Sequence, residues 1–151
     1  MICHVEQRHL PYTPTQWFDL VADVERYPEF LPGFLASRVL RRDGNTVWVD
    51  MVIGSKFLNR RVDSWAVLDR PNRIDVMSED DLFDRFEETW TFGPGETGGA
   101  IVGFSANIDF RPRPWRRLVS GIMEEGVRDM VTAFKHRARA IYGLPAPPAG
   151  P

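Results

Sequence analysis

Cysteine is almost missing from this chain of 151 residues, which has only Cys3. A lone cysteine excludes an intramolecular disulfide and cannot by itself build a thiolate metal site, and its near-absence fits a reducing compartment. Histidine is equally sparse, with only His4, His9 and His136, none beside a recognisable catalytic partner. Nowhere do roughly 18 apolar residues run together, so membrane contact is expected to be peripheral. The first nine residues are too polar for the apolar core of an export signal. Neither charge sign dominates. With 19 Lys and Arg against 21 Asp and Glu the formal charge is −2, which argues against a generally basic nucleic-acid surface, and no DNA partner is expected. The HExxH, GxSxG and P-loop patterns are absent, and the GxGxxG run at 93–98 lies between two predicted strands and opens no helix, so it is not a dinucleotide fingerprint. No catalytic residue and no metal ligand is therefore nominated, and no cofactor is required.

The chain does have the composition of a folded domain, at 43% apolar and 26% charged residues. Residues 2–10 read as a first strand stopping at Pro11. Thr13 as N-cap, Pro14 at the first helical position and Gln16 closing a capping box predict a helix that carries Trp17, Phe18, Leu20 and Val21. Asp23 is expected to cap a short helix over 24–27 that Pro28 cuts off, and residues 30–35 read as an apolar loop.

From residue 37 the period becomes two. Residues 37–42 and 46–53 predict a hairpin about the turn 43–45, with Val47, Val49, Met51 and Ile53 on one face and Trp48 and Asp50 on the other. Runs at 58–68 and 74–78 flank a proline turn, with Val62, Ser64, Ala66 and Leu68 opposite Arg61, Asp63 and Trp65. Residues 83–92 and 101–110 flank the glycine-rich 93–99, and their inward sets are Phe86, Glu88, Trp90 and Phe92 against Val102, Phe104, Ala106, Ile108 and Phe110. After Pro114 apolar residues recur every three or four positions to Tyr142, which predicts one helix about 40 Å long. The α+β order of strand, short helices, six or seven antiparallel strands and a long terminal helix suits a curved sheet wrapped on that helix, with an apolar space between them. Residues 1–143 form the expected domain, and the Pro/Ala/Gly-rich 144–151 a disordered tail.

The order and wording of several segments resemble the helix-grip superfamily of START-like (Bet v 1-like) lipid-transfer and polyketide cyclase/dehydrase-type domains. Residues 19–32, Asp-Leu-Val-Ala-Asp-Val-Glu-Arg-Tyr-Pro-Glu-Phe-Leu-Pro, are similar to a signature of its Coq10/RatA-like branch of coenzyme Q-binding proteins. Residues 130–138 and 141–143 resemble the same branch's closing motif, and 102–110 its strand ending in Asp-Phe-x-Phe, except that Arg111 follows Phe110 directly. The resemblance implies non-catalytic binding of ubiquinone or a similar prenyl lipid in a hydrophobic tunnel, in support of respiration and ubiquinone biosynthesis, by a cytoplasmic protein peripheral to the inner face of the cytoplasmic membrane. For relatives of the RatA toxin it implies binding to the large ribosomal subunit, and for the cyclases a ring-closing reaction, so both stand as alternatives.

Candidate site residues follow from these faces. The expected tunnel takes Val49, Met51, Val62, Phe86, Glu88, Trp90, Phe104 and Ile108 from the sheet, with Ile122, Val127, Met130 and Phe134 from the helix. Each of these is equally well accounted for as core packing. Glu88 is unusual because a buried carboxylate is costly unless paired or protonated. It either meets a quinone headgroup, pairs with Arg61 or Arg85, or is turned back to water by a bulge. Phe30, Leu31, Pro32, Phe34 and Leu35 either plug the core or form a gate that touches a bilayer. Arg111, Arg113, Arg116 and Arg117 around Trp115 form a basic patch that is either a solvated helix end or a contact for lipid or RNA phosphates.

Overall fold

Thr13 caps the first helix as its sequence requires. In the computed structural model its side chain accepts from the Gln16 backbone N–H at 3.1 Å while the Gln16 side chain accepts from the Thr13 N–H at 2.9 Å, a complete capping box ahead of α1 (Pro14–Ala22). The structure describes residues 2–115 and 123–145, with side chains for 3–115 and 128–145. Trp17, Phe18, Leu20 and Val21 form the buried stripe of α1. Asp23 begins a 3-10 turn, Val24–Arg26, without a side-chain cap bond, and α2 (Tyr27–Phe30) follows at once. Pro28 therefore does not end a helix. It lies in the first turn of the next one, where its missing N–H has no intrahelical acceptor to lose.

Seven strands form one antiparallel sheet in the order β1-β7-β6-β5-β4-β3-β2. They are β1 (Ile2–Leu10), β2 (Phe34–Asp43), β3 (Thr46–Gly54), β4 (Asn59–Asp69), β5 (Arg73–Met77), β6 (Phe83–Pro94) and β7 (Ala100–Phe110). The predicted hairpins are all present. Asp43 pairs with Thr46, and Gly44 takes the positive φ of +57° that the two-residue turn demands at its first central position. Two register shifts, between Phe34 and Ala36 and between Val39 and Arg41, bend the edge strand β2. Half of the expected apolar loop 30–35 is thus regular structure: Phe30 closes α2, Phe34 and Leu35 open β2, and 31–33 connect them.

Alternation holds across the sheet. Val47, Val49, Val62, Ala66, Phe92, Val102, Ala106 and Phe110 are buried on the concave side. On the convex side Asp50 is held by Arg61 Nε at 2.6 Å and Arg38 Nη2 at 3.4 Å, and the Arg41 guanidinium lies 3.9 Å from the centre of the Trp48 ring. Facing the concave side is α3 (Met123–Tyr142). Residues 113–115 are also helical, and the rest of the predicted helix, including Arg116, Arg117 and Ile122, lies outside the described residues. The C-terminal end of α3 is tied to the start of the chain: Tyr142 donates to the Gln16 carbonyl at 3.0 Å, and Tyr12 donates to the Gly143 carbonyl. Arg70 clamps the β4–β5 turn onto α1 through both oxygens of Asp19, at 2.8 and 2.9 Å.

Candidate functional site: the space between sheet and helix

Two apolar clusters lie side by side on the concave face. The larger joins Trp17, Phe18, Val21, Tyr27, Leu31, Ile74, Phe92 and Val102 with Phe134 and Ala138 of α3, and Trp90, Val76, Met51 and Met130 pack against it. The smaller gathers Val62, Leu82, Phe83, Phe110 and Trp115, with Phe86, Ile108 and Met51 at its margin. Within the larger cluster a cavity of about 50 Å³ remains, walled by Leu10, Trp17, Val21, Trp90, Val102, Phe104, Met130, Val131 and Phe134, with Glu6 and Arg8 of β1 at its polar side.

The structure divides the predicted tunnel. Trp90, Phe104, Met130 and Phe134 meet around the cavity, whereas Val62, Phe86 and Ile108 belong to the second cluster, Met51 bridges the two, and Val49 is buried without lining the cavity. Ile122 and the Val127 side chain lie outside the described residues. Glu6, Arg8, Leu10, Trp17, Val21, Val102 and Val131 complete the wall without having been nominated. For β1 no pattern pointed there, because charged or polar residues occupy both of its faces. Only its pairing with β7, which places Glu6 opposite Phe104 and His4 opposite Ala106, shows that His4, Glu6 and Arg8 face inward. Glu6 accepts from Arg8 and lies 3.2 Å from His4 Nε2.

Aromatic rings cluster around Phe134. Tyr27 lies 5.3 Å from Phe34 and 5.8 Å from Phe134, and Phe30 lies 5.4 Å from Phe134 and under the Arg137 guanidinium. Leu31 is buried in the core, Phe30 and Phe34 are half-buried, and Pro32 and Leu35 are exposed. Arg137 also reaches Glu29 at 3.4 Å, so the segments around Tyr27 and around Phe134, which carry the sequence resemblance, pack on each other.

Glu88 faces inward, between Val76 of β5 and Ala106 of β7. Neither arginine considered as its partner reaches it: Arg61 serves Asp50 on the convex side, and Arg85 points to Glu87 at 3.1 Å. Alternation puts both arginines on the opposite face. Among the described residues nothing hydrogen-bonds to the Glu88 carboxyl, and burial pushes its pKa up to about 7. The Tyr27 hydroxyl, buried and donating to the Val21 carbonyl, is raised far above its usual range by that burial, with the charges of Glu88 and Asp23 adding to it.

Of the expected basic patch, Arg116 and Arg117 lie outside the described residues, and Trp115 is placed otherwise. Trp115 is 6% exposed and stacks on Phe110 at 5.8 Å, so it is core and not an interfacial ring. Gly54 makes room for it: a Cβ there would come within 2.9 Å of the Trp115 ring. Arg111 is taken up by Asp84 at 2.8 Å and Asp81 at 3.7 Å, and Arg113 is exposed. Among the described residues no His, Cys, Asp and Glu side chains gather into a metal-binding group, and no helix is long and apolar enough to cross a membrane.

The profile of the family described as polyketide cyclase / dehydrase and lipid transport matches residues 10–135. The chain belongs to that family. Its relatives include the ribosome association toxin RatA of Rickettsia prowazekii, 28% identical over 145 residues that span 93% of this chain and 99% of the toxin. Another is the mitochondrial coenzyme Q-binding protein COQ10 homolog B of Xenopus laevis, 29% identical over 142 residues, 91% of this chain and 58% of that protein. A START superfamily protein of Mycobacterium smegmatis has the same fold, with a TM-score of 0.75 at 14% identity over 92% of this chain and 98% of the other. The architecture is the START-like helix-grip, and within the family the sequence relatives are of the RatA and COQ10 kinds.

Proposed function

We propose that this family member binds a prenylated quinone or a similar prenyl lipid non-covalently between the sheet and α3, and delivers it without transforming it. The observation that carries this reading is the apolar cavity between Trp90, Phe104, Met130 and Phe134, with the rings of Tyr27 and Phe30 packed on Phe134 and Phe34 packed on Tyr27. At about 50 Å³ the cavity is smaller than an isoprenoid tail requires, so binding must enlarge it. An isoprenoid tail enters by displacing side chains along α3, where Met130 and Val131 are only half-buried, and each buried CH2 contributes about 0.8 kcal/mol. Methionine suits an irregular chain because its thioether adapts to shape. Phe30 and Phe34, with exposed Pro32 and Leu35, form the gate, which meets the membrane surface on the cytoplasmic side.

The test is organic extraction and mass spectrometry of protein purified without detergent from a ubiquinone-producing host. Near-stoichiometric ubiquinone is expected, and Met130→Glu should empty the protein. Unchanged lipid content in a folded Met130→Glu variant would overturn the tunnel. Phe30→Ser with Phe34→Ser should leave the bound lipid in place and slow its transfer between vesicles.

A second reading, binding to the large ribosomal subunit, is favoured by one observation: the similarity to RatA spans 99% of the toxin. With Arg111 paired and Trp115 buried, its RNA contact would rest on Arg113, Arg116 and Arg117. Cosedimentation with the large subunit that falls steeply with salt would support it, and its absence at low salt would remove it.

A further inference from the structure

Beside the apolar cavity, on the same concave face of the sheet, lies one carboxyl that no described side chain engages. Glu88 lies on the concave face between Phe86 and Trp90, and Trp90 borders the cavity. Its cross-strand neighbours are Val76 and the small Ala106, so the sheet offers it no hydrogen-bond partner. Other titratable groups nearby are already committed. Tyr27 of α2 donates to the Val21 carbonyl, and beyond Ala106 the β1 side chains His4, Glu6 and Arg8 bond to one another. The described residues of α3 in the same cluster, Met130 and Phe134, are apolar.

We propose that Glu88 is the head-group contact, donating a hydrogen bond to a ligand carbonyl when protonated and accepting one from a ligand hydroxyl when ionised. This rests on the prenyl-lipid reading and adds a chemical selection to it. A quinone presents only acceptors, so it requires the protonated carboxyl. A hydroquinone presents donors, and a charge-assisted bond to the carboxylate is the stronger one. The raised proton affinity of Glu88 places this exchange near neutral pH, so acidity selects the oxidised head and alkalinity the reduced one.

The experiment titrates decylubiquinone and, anaerobically, decylubiquinol against the full-length protein and its Glu88→Gln and Glu88→Leu variants at pH 6 and pH 8, read by quenching of tryptophan fluorescence. In the wild-type protein decylubiquinone should bind up to about tenfold more tightly at pH 6, following the protonated fraction of a group titrating near 7, and decylubiquinol should favour pH 8. Glu88→Gln, which keeps a donor and cannot ionise, should bind both heads without pH dependence. Glu88→Leu should bind both weakly and alike. Wild-type binding that ignores pH and oxidation state overturns this inference alone, as does pH dependence that survives in Glu88→Gln. No binding of either probe by any variant at either pH overturns the prenyl-lipid reading and this inference with it.

Discussion

Between Phe86 and Trp90 the strand places a carboxyl where its neighbours place rings, and the consequence for stability has a definite sign. Folded Glu88 keeps its proton until about pH 7, whereas the unfolded chain releases it near 4.5. Across that window the unfolded state binds fewer protons, so stability falls as pH rises from about 4.5 to about 7 and stays lower above it. Because Glu88 is only half-buried, water moderates the loss. Glu88→Gln should remove this slope and stabilise the protein at pH 8, and urea melts at pH 5 and pH 8 measure it directly. An unchanged slope in the variant would mean that another group sets it. Phe134, buried against Tyr27, Phe30 and Trp90, marks the opposite case: Phe134→Ala should lower stability by about 3–5 kcal/mol at any pH. Alternation between two aromatics suggested an inward Glu88, but only the unbroken β6–β7 register at that point excludes the bulge that would have turned it back to water. Glu6 and Arg8 were not legible, since β1 alternates polar with polar and only its partner strand settles which side faces the core.

At the scale of elements, hairpins and caps were readable because each has a local chemical requirement. The Thr13 capping box is one such case, and Thr13→Ala should cost about 1 kcal/mol, seen as a lower melting temperature without loss of the fold. Turns at Gly44 and in 93–99 announced themselves through glycine, and the strand faces through period two. Pro28 misled because a proline that ends a helix and one in a first turn have the same neighbours in sequence. What decides between them is the position of Tyr27, whose ring must pack on Phe34 and Phe134, a long-range condition. Trp115 misled for a related reason: its arginine neighbours suggested a surface, while the pocket made by Phe110, Phe83 and Gly54 comes from three separate strands. The candidate site was half legible, with its sheet and helix sides named but its β1 wall, and its division into two clusters, set by strand order.

For the molecule as a whole, the prenyl-lipid reading requires that ligand exchange at a cavity walled by sheet and helix be a movement of α3 against the sheet. Its C-terminal end is anchored by the Tyr142 bond to Gln16 and the Tyr12 bond to Gly143. Tyr12→Phe with Tyr142→Phe should keep the fold, at about 1 kcal/mol per lost bond, and speed the release of bound decylubiquinone severalfold in a stopped-flow exchange. An unchanged rate would place the opening elsewhere along the helix. The sheet itself stays open at both ends, with β1 and β2 as its outer strands. An open edge is an invitation to another chain. Here β2 is bent by two register shifts and exposes Arg38, Arg41 and Arg42, so a strand added alongside would have to follow an irregular backbone and crowd three guanidinium groups. At the other end it would join a strand whose inward face holds a histidine, a glutamate and an arginine. The bends of β2 at one edge and the charged inward face of β1 at the other therefore both work against sheet-to-sheet polymerisation, so neither uncovered edge is a ready template for aggregation.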